Sequence, residues 1–263
     1  MTKSVLKLSI IALVFLQLLS SCKKFQYVTV VGDSYRAEIN ENIIETDSVL
    51  IRYDFRGRGC PVTINVVNKL NQPLYVDWSK SSVIINGQRF SYWSDAATIK
   101  SNTESIEYQW TKNISTTNST TNGVIVKNER VSFIPPHSGV IYTPVHLRKQ
   151  WIELPDTSTA KKVQIATQVE SMNGKLYSFT QDASPLEFRS FLTTSTNEQF
   201  TSPRFFDNTF WINNIIETQA SPDNLLNTFP NQFYNSKSTG FGAFMGGVVL
   251  AGGIVVILLT AGQ

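Results

Sequence analysis

Apolar and polar residues alternate through most of the middle of the chain. Val49, Ile51, Tyr53 and Phe55 alternate with Leu50, Arg52 and Asp54. Successive side chains on a strand point to opposite faces, so this period of two predicts a half-buried strand. Val62, Ile64 and Val66 repeat the pattern against Thr63, Asn65 and Val67, and Leu74, Val76 and Trp78 repeat it against Tyr75 and Asp77. Residues 83–85 and 88–93 flank Asn86-Gly87, which predicts a two-residue hairpin, because that turn needs positive φ at both central positions. Val163, Ile165, Thr167 and Val169 alternate again. Asn173-Gly174 then predicts a second hairpin turn, with the chain returning over residues 176–180. Further strands are predicted at 124–126, 131–134, 140–147, 186–192 and 205–216, the last of these closing the domain. Pro144 cannot donate to a ladder, which puts residues 140–147 at a sheet edge. Residues 25–31 read as either a leader or a first strand. Residues 222–226 read as a short helix with Ser221 as its cap.

About ten strands close together, with Gly, Pro and Asn turns and no long amphipathic helix, predict an all-β protein. The expected form is an antiparallel β-sandwich of immunoglobulin-like type. The pattern breaks in three places. Residues 94–122 are rich in Ser, Thr and Asn and predict a long polar loop over the sandwich. Residues 240–263 carry no charge, and about 21 apolar positions suffice for a helix to cross a hydrocarbon core of about 30 Å. Residues 8–19 form a short apolar run behind Lys3 and Lys7, the pattern of an export signal. The expected organisation is a signal at 1–21, a leader at 22–48, a sandwich at 49–220, a tether at 221–239 and a transmembrane helix at 240–263. Two smaller sandwiches divided near Asp156 are the alternative to one elaborated domain.

Small residues in the last segment recur every four positions, Gly242 with Gly246, and Ala243 with Gly247 and Ala251. That spacing lines up a flat stripe suited to close helix packing, hence to self-association or a membrane partner. A glycine-rich anchor with no specific contact fits the same residues.

The export signal ends Leu19-Ser20-Ser21-Cys22. This motif resembles the lipobox of bacterial lipoproteins, with a Bacteroidetes-like arrangement. The resemblance covers the first 22 residues and implies that Cys22 becomes the lipid-bearing first residue of the mature chain. Lys23 and Lys24 follow with no acidic run, which points to a domain facing the periplasm of the cell envelope. The run Val67-Asn68-Lys69-Leu70-Asn71-Gln72-Pro73-Leu74-Tyr75-Val76-Asp77-Trp78, with the later Ile134-Pro135-Pro136-His137-Ser138-Gly139, looks like uncharacterised sandwich domains of bacterial lipoproteins. A eukaryotic secretory signal with a C-terminal lipid-anchor signal is the minor alternative.

Formal net charge is +3, and losing Lys3 and Lys7 with the signal brings it to +1. That balance gives no reason to propose nucleic acid as a partner. Of the two cysteines, Cys22 and Cys60, a lipidated Cys22 leaves Cys60 without a disulfide partner. Cys60 follows Arg56-Gly57-Arg58-Gly59; it reads as a partly buried thiol, with a cation-activated thiol as the alternative. His137 and His146 lack acidic or cysteine companions at metal-ligand spacing, and Asp54 and Asp77 read as separate water-facing acids. No catalytic, metal or cofactor motif emerges. Trp78 and Trp211 are expected to fill the core. Tyr92, Trp93, Tyr108 and Trp110 cluster around the start of the polar loop and make a candidate contact patch.

These readings predict a membrane-anchored envelope protein with a non-enzymatic binding or scaffolding role. Its expected partners are membrane lipid, an envelope protein and a second copy through the terminal helix. The alternatives are a glycan-binding module using the aromatics near Trp93 and Trp110, and a hydrolase built on a histidine and a carboxylate.

Overall fold

A computed structural model describes residues 23–94, 98–111, 114–126, 129–148, 150–154 and 159–238. The expected signal, Cys22 and the expected transmembrane helix, with Gly242, Ala243, Gly246, Gly247 and Ala251, lie outside the described residues. Among the described residues, no helix is long and apolar enough to cross a membrane.

The chain forms strands β1 (Lys23–Gly32), β2 (Tyr35–Arg36), β3 (Glu41–Glu45), β4 (Val49–Asp54), β5 (Gly57–Arg58), β6 (Pro61–Asn68), β7 (Leu74–Asp77), β8 (Ser82–Ile85) and β9 (Gln88–Ser91). It continues with β10 (Thr98–Thr111), β11 (Ile114–Val126), β12 (Val131–Ile134), β13 (Gly139–His146), β14 (Lys161–Ala166) and β15 (Ser171–Ser178). Last come β16 (Glu187–Ser195), β17 (Arg204–Thr218), one 3₁₀ turn at Pro222–Asn224, and β18 (Gln232–Ser238). The larger sheet has 11 strands along the path β12-β7-β16-β17-β1-β18-β5, with β8, β9, β14 and β15 attached beside it. The smaller sheet has five strands in the order β13-β6-β4-β3-β2. Its pairs are antiparallel, as are those of the larger sheet except β18 with β5.

The two sheets pack as a sandwich because each presents an apolar face. In β4 the residues Val49, Ile51 and Tyr53 are buried, and in β6 so are Val62, Ile64 and Val66. From the larger sheet come Val28, Val30, Phe188, Leu192, Phe210 and Ile212. At the centre Tyr53 and Phe55 meet Phe210 at ring separations of 4.8 and 5.4 Å, edge to face, and Phe188 stacks on Phe210 at 5.1 Å. Rings at these separations add to simple area burial. A buried hydroxyl network also joins the layers. Tyr53 and Tyr92 hold their phenol oxygens 3.0 and 2.8 Å from Ser190 Oγ, and the Tyr142 hydroxyl donates to the Tyr92 carbonyl.

Several expectations hold. Asn86 (φ 50°) and Gly87 (φ 77°) form the β8–β9 turn with positive φ at both positions. Strand β13, which contains Pro144, lies at the edge of its sheet, and its register slips between Tyr142 and Val145. Trp78 is buried and donates from Nε1 to Ser132 Oγ.

Other expectations are corrected. Residues 25–31 take the first-strand reading, since β1 is an interior strand paired with both β17 and β18, and with β3 paired to β4 the described residues 23–48 are part of the sandwich rather than a leader. Residues 221–239 are not simply a tether, because β18 fills the place between β1 and β5 and buries Phe233. Where it is described, the polar stretch 94–122 is strand and not loop: β10 and β11 pair antiparallel over their length as a separate two-stranded ribbon. Threonine is a good strand former even where no apolar alternation betrays it. Asn173-Gly174 is no turn either; it lies inside β15, with Val163 opposite Gly174. The turn falls at residues 167–170, where the Glu170 amide donates to Thr167 Oγ1 and that hydroxyl donates to the Glu170 carbonyl. Trp211 is half-buried on the face of β17 opposite Phe210 and Ile212, so it does not fill the core.

Candidate functional site

The register of the larger sheet brings charged residues from distant parts of the chain to one end. Lys162 of β14 lies opposite Lys175 of β15, Lys175 opposite Glu217 of β17, and Glu217 opposite Gln26 of β1. Strand side chains alternate between faces, so this row shares one face of the sheet. Two residues towards the strand ends, Lys24 of β1 lies opposite Lys237 of β18 on the same face. Lys24, Lys162, Lys175 and Lys237 are all exposed.

Lys24, Lys162, Lys175 and Glu217 line an open cleft of about 740 Å³. Its titratable lining is Lys24, Lys162 and Lys175 with Glu170 and Glu217. Gln26 is fully buried at the inner margin. Its Nε2 donates to the Ile152 carbonyl at 3.0 Å and to Glu217 Oε1 at 3.4 Å, and its Oε1 accepts from the Ile152 amide at 2.9 Å. Asn235 Nδ2 donates to the Gln150 carbonyl, so residues 150–152 are strapped across the inner face of β1 and β18. Trp151 in that strap carries Lys237 Nζ 4.1 Å from its ring centroid. Gly174 lets β15 close on its neighbours, since a Cβ there would lie 2.6 Å from Ile165 Cδ1 and 3.2 Å from Ile216 Cγ2.

The ion pairs among the described residues lie elsewhere, Arg36 and Lys69 with Glu45, Arg52 with Glu41, Arg56 with Asp54, Lys80 and Arg130 with Asp77, and Arg189 with Asp207. The cleft therefore keeps an excess of positive charge facing water. Ammonium groups on flexible stems attract anions as point charges. The arrangement suits electrostatic capture of phosphate-bearing or carboxylate-bearing groups.

Among the described side chains, those singled out from the sequence do not meet in one site. Tyr92 is buried, with its hydroxyl on Ser190, and Trp93 is half-buried against the core. Tyr108 and Trp110 belong to β10, where Tyr108 lies opposite Thr116 and the register slips at Trp110. Tyr92 thus leaves the proposed contact patch, because its ring is needed between the sheets. His146 ends β13, while His137 lies in the turn before that strand, at φ 53° with Nε2 2.7 Å from Asn71 Oδ1. Asp77 does not face water. Its carboxylate is buried, takes hydrogen bonds from the Ser79 and Lys80 amides, and pairs with Lys80 and Arg130. Cys60 is wholly buried at φ 56°, and burial pushes its thiol pKa up, opposite to the activation that nearby arginines would give. Among the described residues there is no group of three or more His, Cys, Asp or Glu placed to hold a metal ion.

The lysines of the cleft were invisible as a set. Lys23-Lys24 and Lys161-Lys162 show as doublets, but only strand pairing joins them to Lys175 and Glu217. Comparison with protein-family models, with curated proteins and with solved structures finds no match to this chain.

Proposed function

We propose that the chain is a lipid-anchored protein of the bacterial cell envelope. In this reading Cys22 bears lipid, residues 240–263 cross the membrane as a helix, and the domain between is an immunoglobulin-like sandwich. It faces the periplasm and has a non-enzymatic binding or scaffolding role. One observation carries the reading further than the sequence does. Lys23 opens β1, Ser238 closes β18, and the two are register partners. Facing residues of an antiparallel pair lie about 5 Å apart. The segments leading to Cys22 and to residue 240 therefore leave the sandwich side by side, which suits two anchors in a single membrane. A buried tryptophan, Trp78, in the core of the sandwich favours the immunoglobulin-like description.

The test of the binding role is chemical crosslinking in intact cells followed by affinity purification of the full chain. Recovery of one envelope protein in stoichiometric amount supports a scaffold. Recovery of the chain alone, crosslinked to nothing, counts against it.

A further inference from the structure

We propose that the lysine-rich end of the larger sheet is a docking surface for anionic phospholipid headgroups of the membrane that holds the chain. The inference rests on the anchored reading above and adds the orientation of the domain. Lys24 is two residues from Cys22, and at about 3.3 Å per strand residue its Cα lies within about 7 Å of the lipidated position. Lys237 faces Lys24 across the β1–β18 pair and ends beside the segment that leads to residue 240. Lys162 and Lys175 lie one cross-strand row further in, on the same face of the sheet. Any membrane that receives both anchors meets this end first.

The charge fits that partner. Around the cleft three lysines face two glutamates, and Lys237 adds a further cation beside it. Basic residues next to a membrane anchor are drawn to anionic headgroups and act within a Debye length of the surface. The opposite end of the sandwich is built differently. Lys69 there is held in an ion pair with Glu45, which it shares with Arg36, and Lys80 in one with Asp77, which it shares with Arg130. Arg204 donates to Ser48 Oγ and the Lys69 amide to the Ser48 carbonyl, which puts Lys69 near the start of β17. Glu217, in the cleft, lies near the end of that 15-residue strand, about 45 Å away along it.

The test uses the full chain reconstituted into vesicles of phosphatidylcholine alone and of phosphatidylcholine mixed with phosphatidylglycerol. A membrane-impermeant amine-acylating reagent is applied and modification is mapped by peptide mass spectrometry. Lys24, Lys162, Lys175 and Lys237 are expected to react several-fold more slowly in the anionic vesicles, with Lys69 and Lys80 unchanged, and added salt should remove the difference. Equal reactivity of the four lysines in both vesicles overturns the proposal. Lys162→Glu with Lys175→Glu is expected to abolish the lipid dependence at Lys24; its persistence would also overturn it. Alkaline carbonate extraction of the same vesicles separates the two claims. A chain retained but unprotected keeps the anchors and loses the docking surface. A chain extracted yet protected loses the anchors and keeps the docking surface.

Discussion

Single residues in this protein act mainly by joining the sheets. Ser190 Oγ takes both the Tyr53 and Tyr92 hydroxyls in the core. Removing it strands two buried phenols, and each buried polar group left unpaired costs about 1–3 kcal/mol. Ser190→Ala is expected to lower stability by at least one such increment in denaturant unfolding, with Tyr53→Phe in the same background costing less than it does alone. The phenols also set an alkaline limit. Burial raises the pKa of Tyr53, of Tyr92 and, with help from nearby Tyr234 and Asp223, of Tyr27. The unfolded chain releases these protons near the ordinary value of about 10, while the folded chain holds them. Their contribution is therefore fully present below pH 10 and is lost as pH rises above it. Buried Cys60 acts with the same sign, beginning near the ordinary thiol value of about 8.5. A melting temperature that falls with pH from about 8.5, and more steeply beyond about 10, is the expected result; a flat profile through pH 11 would contradict it.

Among the elements, those with one wet and one dry face were legible in the sequence. Strands β4, β6 and β7 and the β8–β9 hairpin appear where alternation and Asn86-Gly87 put them. The strands that were missed or misassigned lack that signature. Interior strand β1 is buried at Tyr27, Val28, Val30 and Val31, so it reads as a short apolar run. Strand β18 buries Phe233 and polar Asn235, so it reads as a polar tether. In β10 and β11 threonine, serine and asparagine outnumber the apolar residues, so no alternation shows. Asn173-Gly174 shows how local turn chemistry yields to packing, since Gly174 serves close approach of Ile165 and Ile216 rather than positive φ. Gly174→Val is expected to cost about 1–3 kcal/mol through overpacking, whereas Gly87→Val should act through its φ of 77°. Thermal unfolding of the two variants beside Gly87→Asn separates the causes. Asparagine tolerates left-handed backbone and should restore stability at position 87, while Gly174→Asn should not. The candidate site was not legible for a related reason. Lys24, Lys162, Lys175 and Glu217 belong to four strands, and only their register makes them neighbours.

At the scale of the molecule, the central claim is that both ends of the sandwich lead to one membrane. The pairing of Lys23 with Ser238 makes the domain a closed unit whose entry and exit share one pole. Ending the chain after Ser238 keeps all of β18, so the sandwich is expected to fold without its last segment. The most direct measurement is alkaline membrane fractionation of four forms: the intact chain, the chain with residues 1–22 replaced by a cleavable export signal that leaves no lipid-bearing cysteine, the chain ended after Ser238, and the two changes combined. Each single change is expected to leave the protein in the membrane pellet, and the combined form to be released as a folded domain. Release by either single change would contradict two working anchors, and retention of the combined form would contradict both.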